Sequence, residues 1–329
     1  MRKVLCAIAS CLALGLSVCN WTAIVAADDE WDARADQIVA NFSLNDIVGQ
    51  ITQFSIYQVM TKDGKLNEEV IRKKDGCRIL PRCLSLDGVC EGLHWDVCLE
   101  CGAICSIISR IQEITMEENG GHPIIYGLDS VHGAGFAQFA VIFGHQIHGA
   151  ASFNPNLVYE MGRITGRDNL VAGAPWVFSP VLEVSRHLMW PRTYETFGED
   201  PYLVSVMGNA IIRGSQSNNH TAACMKHFIA YSNTPTGLDQ DGISISDFDL
   251  LNYFVPPFKA AIETGVMTAM KTYSSVNGVP VIGNAKLLKK LLRNDLGFDG
   301  VTTSDFDELN ALNSYHRLHA VPTKPPGCR

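Results

Sequence analysis

Polar and ionisable residues in this sequence follow several apolar runs at the point where each run ends. The runs and their residues are 124–128 with Asp129, 222–227 with Lys226 and His227 as its last members, 266–272 with Tyr273, and 300–304 with Asp305. If these runs are parallel strands of a barrel, their carboxyl ends open onto one mouth, and we expect the side chains to meet there. Together they supply the donors, acceptors and flat apolar faces that a polyhydroxylated ligand requires.

Asp305 is the member of this set that could form a covalent bond with such a ligand. A carboxylate aimed at the anomeric carbon of a sugar can form a glycosyl ester, which divides one difficult displacement into two easier ones. The run 300–304 would bring Asp305 up from the sheet into the mouth. An aspartate after a strand is equally suited to cap the amino end of the next helix, so both interpretations stand.

Short apolar runs alternate with longer helical patterns over most of the chain. The predicted strands are 124–128, 176–178, 222–227, 266–272 and 300–304, and the predicted helices between them are 156–171, 202–216, 246–263 and 285–295. Gly265 and Gly297 stand where two of these helices should end. This alternation is typical of βα units, so we predict an α/β fold, a TIM-like (β/α)8 barrel.

Helical patterns also precede the first of these strands. Apolar residues recur at helical spacing over 31–42, and Ser43 has the position of an N-cap for a second helix. Five isoleucines then form one helical stripe, at Ile104, Ile107, Ile108, Ile111 and Ile114. We expect this stripe to pack into the core.

The amino terminus has the features of an export signal. Arg2 and Lys3 precede an apolar run that ends in small residues, and acidic residues begin at Asp28. We therefore expect a signal peptide over residues 1–27, a secreted mature chain, and no membrane contact after cleavage. A membrane anchor is the alternative, because the run approaches the ~20 residues that span a bilayer.

The charge of the mature chain bears on its partners. The full sequence has 26 basic and 34 acidic residues, and loss of Arg2 and Lys3 with residues 1–27 leaves a formal net charge of −10. Such an excess of negative charge argues against a nucleic acid partner and is compatible with a neutral sugar.

Cysteines are concentrated in one stretch, residues 76–105. Of the 11 cysteines, eight lie beyond residue 27, and six of these are Cys77, Cys83, Cys90, Cys98, Cys101 and Cys105. In an exported chain we expect them to form disulfides. The Cys98-x-x-Cys101 spacing also suits half of a zinc site, but no second such pair or spaced histidine pair accompanies it, so we predict no metal and no cofactor.

Residues 108–309 resemble the barrel domain of glycoside hydrolase family 3, especially its secreted β-glucosidases. Five segments carry the resemblance in the family's order: IIYGLDSVHG at 124–133, WPRTYETFGEDP at 190–201, MKHF at 225–228, YSSVNG at 273–278 and GFDGVTTSD at 297–305. The resemblance implies that residues 28–309 form the family's amino-terminal barrel domain. It also implies retaining hydrolysis of terminal β-D-glucosyl residues from β-glucosides or short β-glucan oligosaccharides.

The same resemblance implies a role for each matching polar residue. Asp305 would be the nucleophile, Tyr273 would lie close to it, and the sugar hydroxyls would be bound by Asp129, Arg192, Lys226 and His227. Arg192 has an alternative role, in which it pairs with Glu195 or Glu199 and braces its own loop.

Lys226 and His227 raise a geometric difficulty. Neighbours on a regular strand point to opposite faces of the sheet, so both can reach one ligand only if the strand becomes irregular there. The resemblance implies non-proline cis peptide bonds at this point.

The sequence departs from the family in two places. Nothing in the Cys-rich segment 76–105 looks like the family's early barrel strand, which puts the second strand in doubt. After Leu309, the divergent tail 310–329 contains neither an eighth strand nor the second α/β domain that carries the general acid, a glutamate, in the family's β-glucosidases. We expect an incomplete barrel with the acid catalyst absent, and an imperfect gene model would explain both departures.

Two other functions compete with the β-glucosidase interpretation. The missing acid and incomplete barrel suit a catalytically silent sugar-binding protein or a truncated fragment. Within the family, the β-N-acetylhexosaminidase branch uses a histidine in a Pro-Gly-His-Gly motif after Lys-His-Phe, and Phe228 is followed here by Ile-Ala-Tyr-Ser instead. The sequence therefore disfavours that branch.

Overall fold

The computed structural model describes residues 32–72, 83–85, 101–118, 120–137 and 139–318. Seven parallel strands form one curved sheet in the order β1-β2-β3-β4-β5-β6-β9. They are β1 (Gln53–Ser55), β2 (Cys83–Ser85), β3 (Ile125–Leu128), β4 (Trp176–Val177), β5 (Ala222–Phe228), β6 (Thr268–Lys271) and β9 (Val301–Thr303). A separate antiparallel hairpin consists of β7 (Ser275–Val276) and β8 (Val279–Pro280). Because the seven strands run in one direction, their carboxyl ends share one edge of the sheet.

Helices alternate with these strands. They are α1 (32–39), α2 (Leu44–Gln50), α3 (Glu68–Arg72), α4 (Cys101–Glu118), α5 (Gln146–Ala151), α6 (Pro155–Val171), α7 (Pro201–Ser215), α8 (Asp247–Asp249, a π-helical turn Leu250–Phe254, and Val255–Glu263), α9 (Lys286–Asp295, π-helical) and α10 (Glu308–Ser314). In the described part of the chain, none of the helices is long and apolar enough to cross a bilayer.

The strands and helices predicted from residue 124 onward are confirmed, with ends that differ by at most two residues. Side chains of Asn154 and Asp200 cap α6 and α7, and each cap is followed by a proline, which suits the first helical position. Gly265 and Gly297 follow α8 and α9 with φ of 86° and 72°, as expected of helix stops. The N-cap at Ser43 is also confirmed, because its side chain accepts from Asp46 N.

The two strands at the start of the sheet were not predicted. β2 lies between β1 and β3, with Cys83 opposite both Gln53 and Ile125. The doubt over a second strand in the Cys-rich segment is thereby corrected. Neither strand stands within a longer apolar run, so the alternation of apolar runs and helical patterns did not reveal it.

Apart from β2 and residues 101–105 at the start of α4, the Cys-rich segment lies outside the described part of the chain. Its cysteine side chains are not among those described, so the disulfides there stay a prediction. Cys224, in β5, is buried and unpaired.

The sheet is an incomplete (β/α) barrel. β1 pairs only with β2, and β9 pairs only with β6. After β9 the described chain continues into α10 and, up to residue 318, adds no eighth strand. This agrees with the incomplete barrel expected from the sequence.

The core lies between the sheet and the helices. Its largest cluster includes Met161 of α6, Met207 of α7, Phe228 of β5 and Phe258 of α8. A second cluster contains Ile108, Ile111 and Ile114 of the predicted stripe on α4, all buried, with Ile107 packed against them. The side chain of Ile104 lies outside the described part of the structure. Apolar burial between the sheet and the helices fixes the strands whose ends form the mouth.

Helices α6 and α7 approach each other closely because glycines face the contact. A Cβ at Gly162 would lie 2.3 Å from the carbonyl oxygen of Ile211, and a Cβ at Gly214 would lie 2.1 Å from that of Tyr159. No side chain fits at such distances, so the backbones themselves are in contact.

Gly162→Ala should lower the free energy of unfolding by about 1–3 kcal/mol, because α6 and α7 must separate to admit the methyl group. Gly208→Ala is the matched control in α7, since its Cβ would meet only the side-chain end of Leu182, at 2.5 Å from Cδ2. Urea denaturation measures both variants. Equal losses of stability in the two would contradict the proposed backbone contact.

Candidate active site

The end of β5 is irregular at the residues that the site requires. Met225 pairs with Ala269 of β6, and the next pairing joins Phe228 to Lys271, so β5 advances three residues while β6 advances two. An extra residue of this kind redirects side chains. The peptide bonds Lys226–His227 and Phe228–Ile229 are cis, as the resemblance implied.

Lys226 and His227 consequently both face the mouth of the sheet. Lys226 Nζ lies 2.5 Å from Asp129 Oδ1, beyond the end of β3. His227 Nε2 lies 3.5 Å from Asp305 Oδ2, beyond the end of β9. Three strand ends are therefore joined through adjacent residues of one strand.

Lys226 is a buried cation whose charge is stabilised by its partner Asp129. Its side chain is 2% exposed, whereas that of Asp129 is 34% exposed. Burial, the largest single effect, would by itself lower the pKa of Lys226. The charge and hydrogen bond of Asp129, together with the charge of Glu195, outweigh it and hold that pKa above its usual range. The pair therefore presents an ammonium and a partly accessible carboxylate to the mouth.

Asp305 is a largely buried carboxyl, with 12% of its side chain exposed, and one of its oxygens accepts a hydrogen bond. Its Oδ1 accepts a hydrogen bond from Phe306 N at 2.7 Å, and Oδ2 has no hydrogen-bond donor among the described residues. Burial raises the pKa of Asp305 to about 6, and the charges of Lys226 and Arg192 limit that rise. Asp305 does not cap a helix, because the N-cap of α10 is Asp307.

His227 is buried and uncharged at neutral pH. Burial lowers its pKa well below the usual value, and the nearby charges of Arg192 and Lys226 act in the same direction. Its contact with Asp305 therefore joins a neutral imidazole to a carboxyl group. Its Nδ1 is buried without a partner in the described chain.

Arg192 forms the brace that its sequence suggested, and it also lies at the site. Its guanidinium makes two hydrogen bonds to Glu195, at 2.8 and 2.9 Å, so Glu195 rather than Glu199 is the partner. The same group lies 5.6 Å from the ring centre of Tyr231 and is close enough to Asp305 to affect its pKa. The two interpretations of Arg192 are thus compatible.

Two contacts hold the turn that carries Asp305. The Tyr273 hydroxyl donates to the carbonyl oxygen of Phe306 at 2.7 Å. The backbone N–H of Asp305 donates to Glu308 Oε2 at 3.0 Å. Burial raises the pKa of Glu308 to about 7. Tyr273 is next to the predicted nucleophile, whereas Glu308 was not singled out in the sequence.

Tyr231 was also missed, although it is central to the site. Its buried ring stands edge-on to those of Trp190 and His227, with centres 5.4 and 5.1 Å away, and is 6.3 Å from that of Tyr273. These rings form an aromatic wall behind Arg192. Only the tertiary fold brings them together, so local spacing in the sequence carries no signal for the wall.

Glu183 is the third residue that sequence reasoning missed. It is fully buried, and its carboxyl accepts the backbone N–H groups of His227 and Ser232. A single acidic residue in the apolar run 181–184 was the available signal. No group of three or more His, Cys, Asp or Glu residues suited to a metal ion occurs in the described ranges.

Comparison with known proteins agrees with this geometry. The family model "Glycosyl hydrolase family 3 N terminal domain" matches residues 99–323. A lysosomal beta glucosidase of Dictyostelium discoideum is 34% identical over 87% of this chain and 36% of its own length. A beta-xylosidase of Formosa agariphila is 32% identical over 64% of this chain and 31% of its own.

A solved structure shares the fold. The beta-glucosidase from Listeria innocua, crystallised with gluconolactone, matches 88% of this chain and 39% of its own with a TM-score of 0.74 and 24% identity. The chain thus spans about a third of the length of these relatives, from 31% to 39%. From the match over residues 99–323 and the shared fold, we conclude that the chain belongs to glycosyl hydrolase family 3.

Proposed function

We propose that this chain carries the nucleophile and the main sugar-binding residues of a retaining β-glucosidase, which hydrolyses terminal β-D-glucosyl residues of β-glucosides or short β-glucans. The observation that carries the proposal is the largely buried Asp305 carboxyl, whose Oδ2 accepts no hydrogen bond from the described residues and lies beside His227, near the charges of Lys226 and Arg192. One relative is named a β-xylosidase, so a β-xyloside is the alternative substrate.

The first step uses Asp305 as the nucleophile. Its Oδ2 attacks the anomeric carbon, the glycosidic C–O bond breaks, and the leaving oxygen takes a proton from a general acid. The neutral His227 adds no charge next to Oδ2, while the positive charges of Lys226 and Arg192 favour the ionised carboxylate.

The second step releases the sugar. Water attacks the anomeric carbon of the glycosyl ester, the bond to Oδ2 breaks, and the water proton passes to the same acid–base group. By the family resemblance, that group is a glutamate in a second α/β domain. Protonation of the leaving group typically contributes ~10²–10⁴-fold, so substrates with activated leaving groups depend least on that acid.

Sugar recognition would rest on two ion pairs, Lys226 with Asp129 and Arg192 with Glu195. Asp129 supplies an accessible acceptor, and Lys226, Arg192 and His227 supply donors for neighbouring hydroxyls. The edges and faces of Tyr231 and Trp190 would exclude water from the apolar side of the ring.

A 2-deoxy-2-fluoroglucoside with a good leaving group should label Asp305 covalently, because fluorine slows the second step more than the activated first one. Peptide mass spectrometry would locate the adduct. Asp305→Asn should abolish labelling, whereas Asp307→Asn, an exposed matched control that keeps its hydrogen bond to Asn310, should not.

Labelling of another residue, or equal labelling of Asp305→Asn, would contradict the assignment of the nucleophile. Saturable binding of gluconolactone without any labelling would favour the catalytically silent sugar-binding protein.

The kcat/KM for an activated aryl glucoside should fall as the pH decreases through about 6, because the protonated Asp305 carboxyl is a poor nucleophile. Lys226→Gln should move this acidic limb to higher pH, since it removes a positive charge that favours ionisation. The pH–rate profiles of both proteins test this. If the acidic limb of the Lys226→Gln profile stays at the same pH, a group other than Asp305 must titrate there.

We infer that the mature enzyme is secreted after cleavage following residue 27, a region that lies outside the described residues. Relatives carry the names lysosomal and periplasmic beta-glucosidase, which supports action outside the cytosol. Amino-terminal sequencing of protein from the culture medium should begin at Asp28. An intact Arg2–Lys3 segment on membrane-bound protein would favour the anchor.

A further inference from the structure

We propose that Glu183 is a positioning residue that holds His227 and Tyr231 in the geometry of the sugar site through the backbone between them. The inference rests on the proposed function and adds to it a residue that touches no substrate.

Glu183 follows a stretch that is paired directly with β5. Leu182 N donates to the carbonyl oxygen of Lys226 at 2.6 Å, and Lys226 N donates to that of Pro180 at 3.0 Å. This pairing brings Glu183 to the point where β5 becomes irregular.

The carboxyl of Glu183 engages both ends of the next segment. Oε1 accepts from His227 N at 3.2 Å, and Oε2 accepts from Ser232 N at 3.4 Å. The Ser232 hydroxyl adds a third hydrogen bond, which it donates to the carbonyl oxygen of Val184 at 2.6 Å. Hydrogen bonds therefore attach both ends of the segment 227–232 to residues 183–184.

This segment carries two side chains of the site. His227 contacts Asp305, and Tyr231 forms the ring against which Arg192, Trp190 and His227 pack. Any shift of the segment would move both relative to Asp305. Misplacement of about 1 Å can lower a rate by on the order of 10²-fold.

A carboxyl group suits this position because both of its oxygens can accept. Burial raises the pKa of Glu183 to about 8, while the two backbone N–H donors favour the ionised form, in which both oxygens accept. A glutamine has the same shape, but one of its two ends is a donor and would meet a backbone N–H.

The test compares Glu183→Gln with Gln112→Met in the full chain. Gln112 is a matched control, because its amide also makes two backbone hydrogen bonds, to Ile124 N at 2.9 Å and Ile124 O at 2.8 Å, at the opposite end of β3. Amide hydrogen exchange over 227–232, the Kd of gluconolactone and the rate of fluoroglucoside labelling are measured for each, together with the free energy of unfolding.

Glu183→Gln should speed amide exchange in 227–232 and weaken both binding and labelling by about 10- to 100-fold. Gln112→Met should lose stability but keep both within about 3-fold, since such a loss leaves the site geometry intact. If Glu183→Gln does not fold, Ser232→Ala is tested instead, because it removes only the hydrogen bond from the Ser232 hydroxyl to Val184. It should show the same changes in amide exchange, binding and labelling, but smaller ones.

The failure of this inference differs from failure of the proposed function. Wild-type labelling with unchanged binding and labelling in Glu183→Gln would overturn the positioning role alone, as would unchanged exchange in 227–232. A wild-type chain that neither binds gluconolactone nor is labelled would overturn the proposed function, and the inference with it.

Discussion

The site depends on the loss of regular pairing at the end of β5. A regular strand would direct Lys226 and His227 to opposite faces, and only one of them could reach the mouth. Because β5 advances three residues between Met225 and Phe228 while β6 advances two, both side chains turn towards neighbouring strand ends. Lys226 thereby reaches Asp129 and His227 reaches Asp305, which links the ends of β3, β5 and β9.

Burial then determines the charge state of each group. Lys226 stays charged because Asp129 compensates it, and Arg192 is held by both oxygens of Glu195. Burial and the nearby charges of Arg192 and Lys226 keep His227 neutral. For Asp305, burial opposes ionisation, whereas the charges of Lys226 and Arg192 favour it. Such a carboxyl group suits the nucleophile that we propose.

The sequence was informative wherever an apolar run with the spacing of a strand is followed directly by a polar residue of the site. Runs of four or more residues followed by a polar group identified β3, β5, β6 and β9 and the residues beyond them. β1 and β2 escaped because their three residues do not lie within a longer apolar run.

Residues that act through the fold were harder to find. Glu183 contacts His227 across 44 positions of sequence, and Tyr231 meets Trp190 and Tyr273 only in the folded chain. Contacts between residues so far apart in sequence produce no local spacing from which they could be predicted. The motif around Asp305 was informative for the opposite reason, since the strand, the turn and the carboxyl are consecutive in sequence.

The central claim is that Asp305 forms a glycosyl ester at a site built from three strand ends. A crystal structure of the fluoroglucoside-treated protein tests it most directly. We predict continuous density from Asp305 Oδ2 to the anomeric carbon, with the sugar hydroxyls at Asp129, Lys226 and Arg192. A sugar bound elsewhere, or one in the mouth that makes its bond to another residue, would contradict the account.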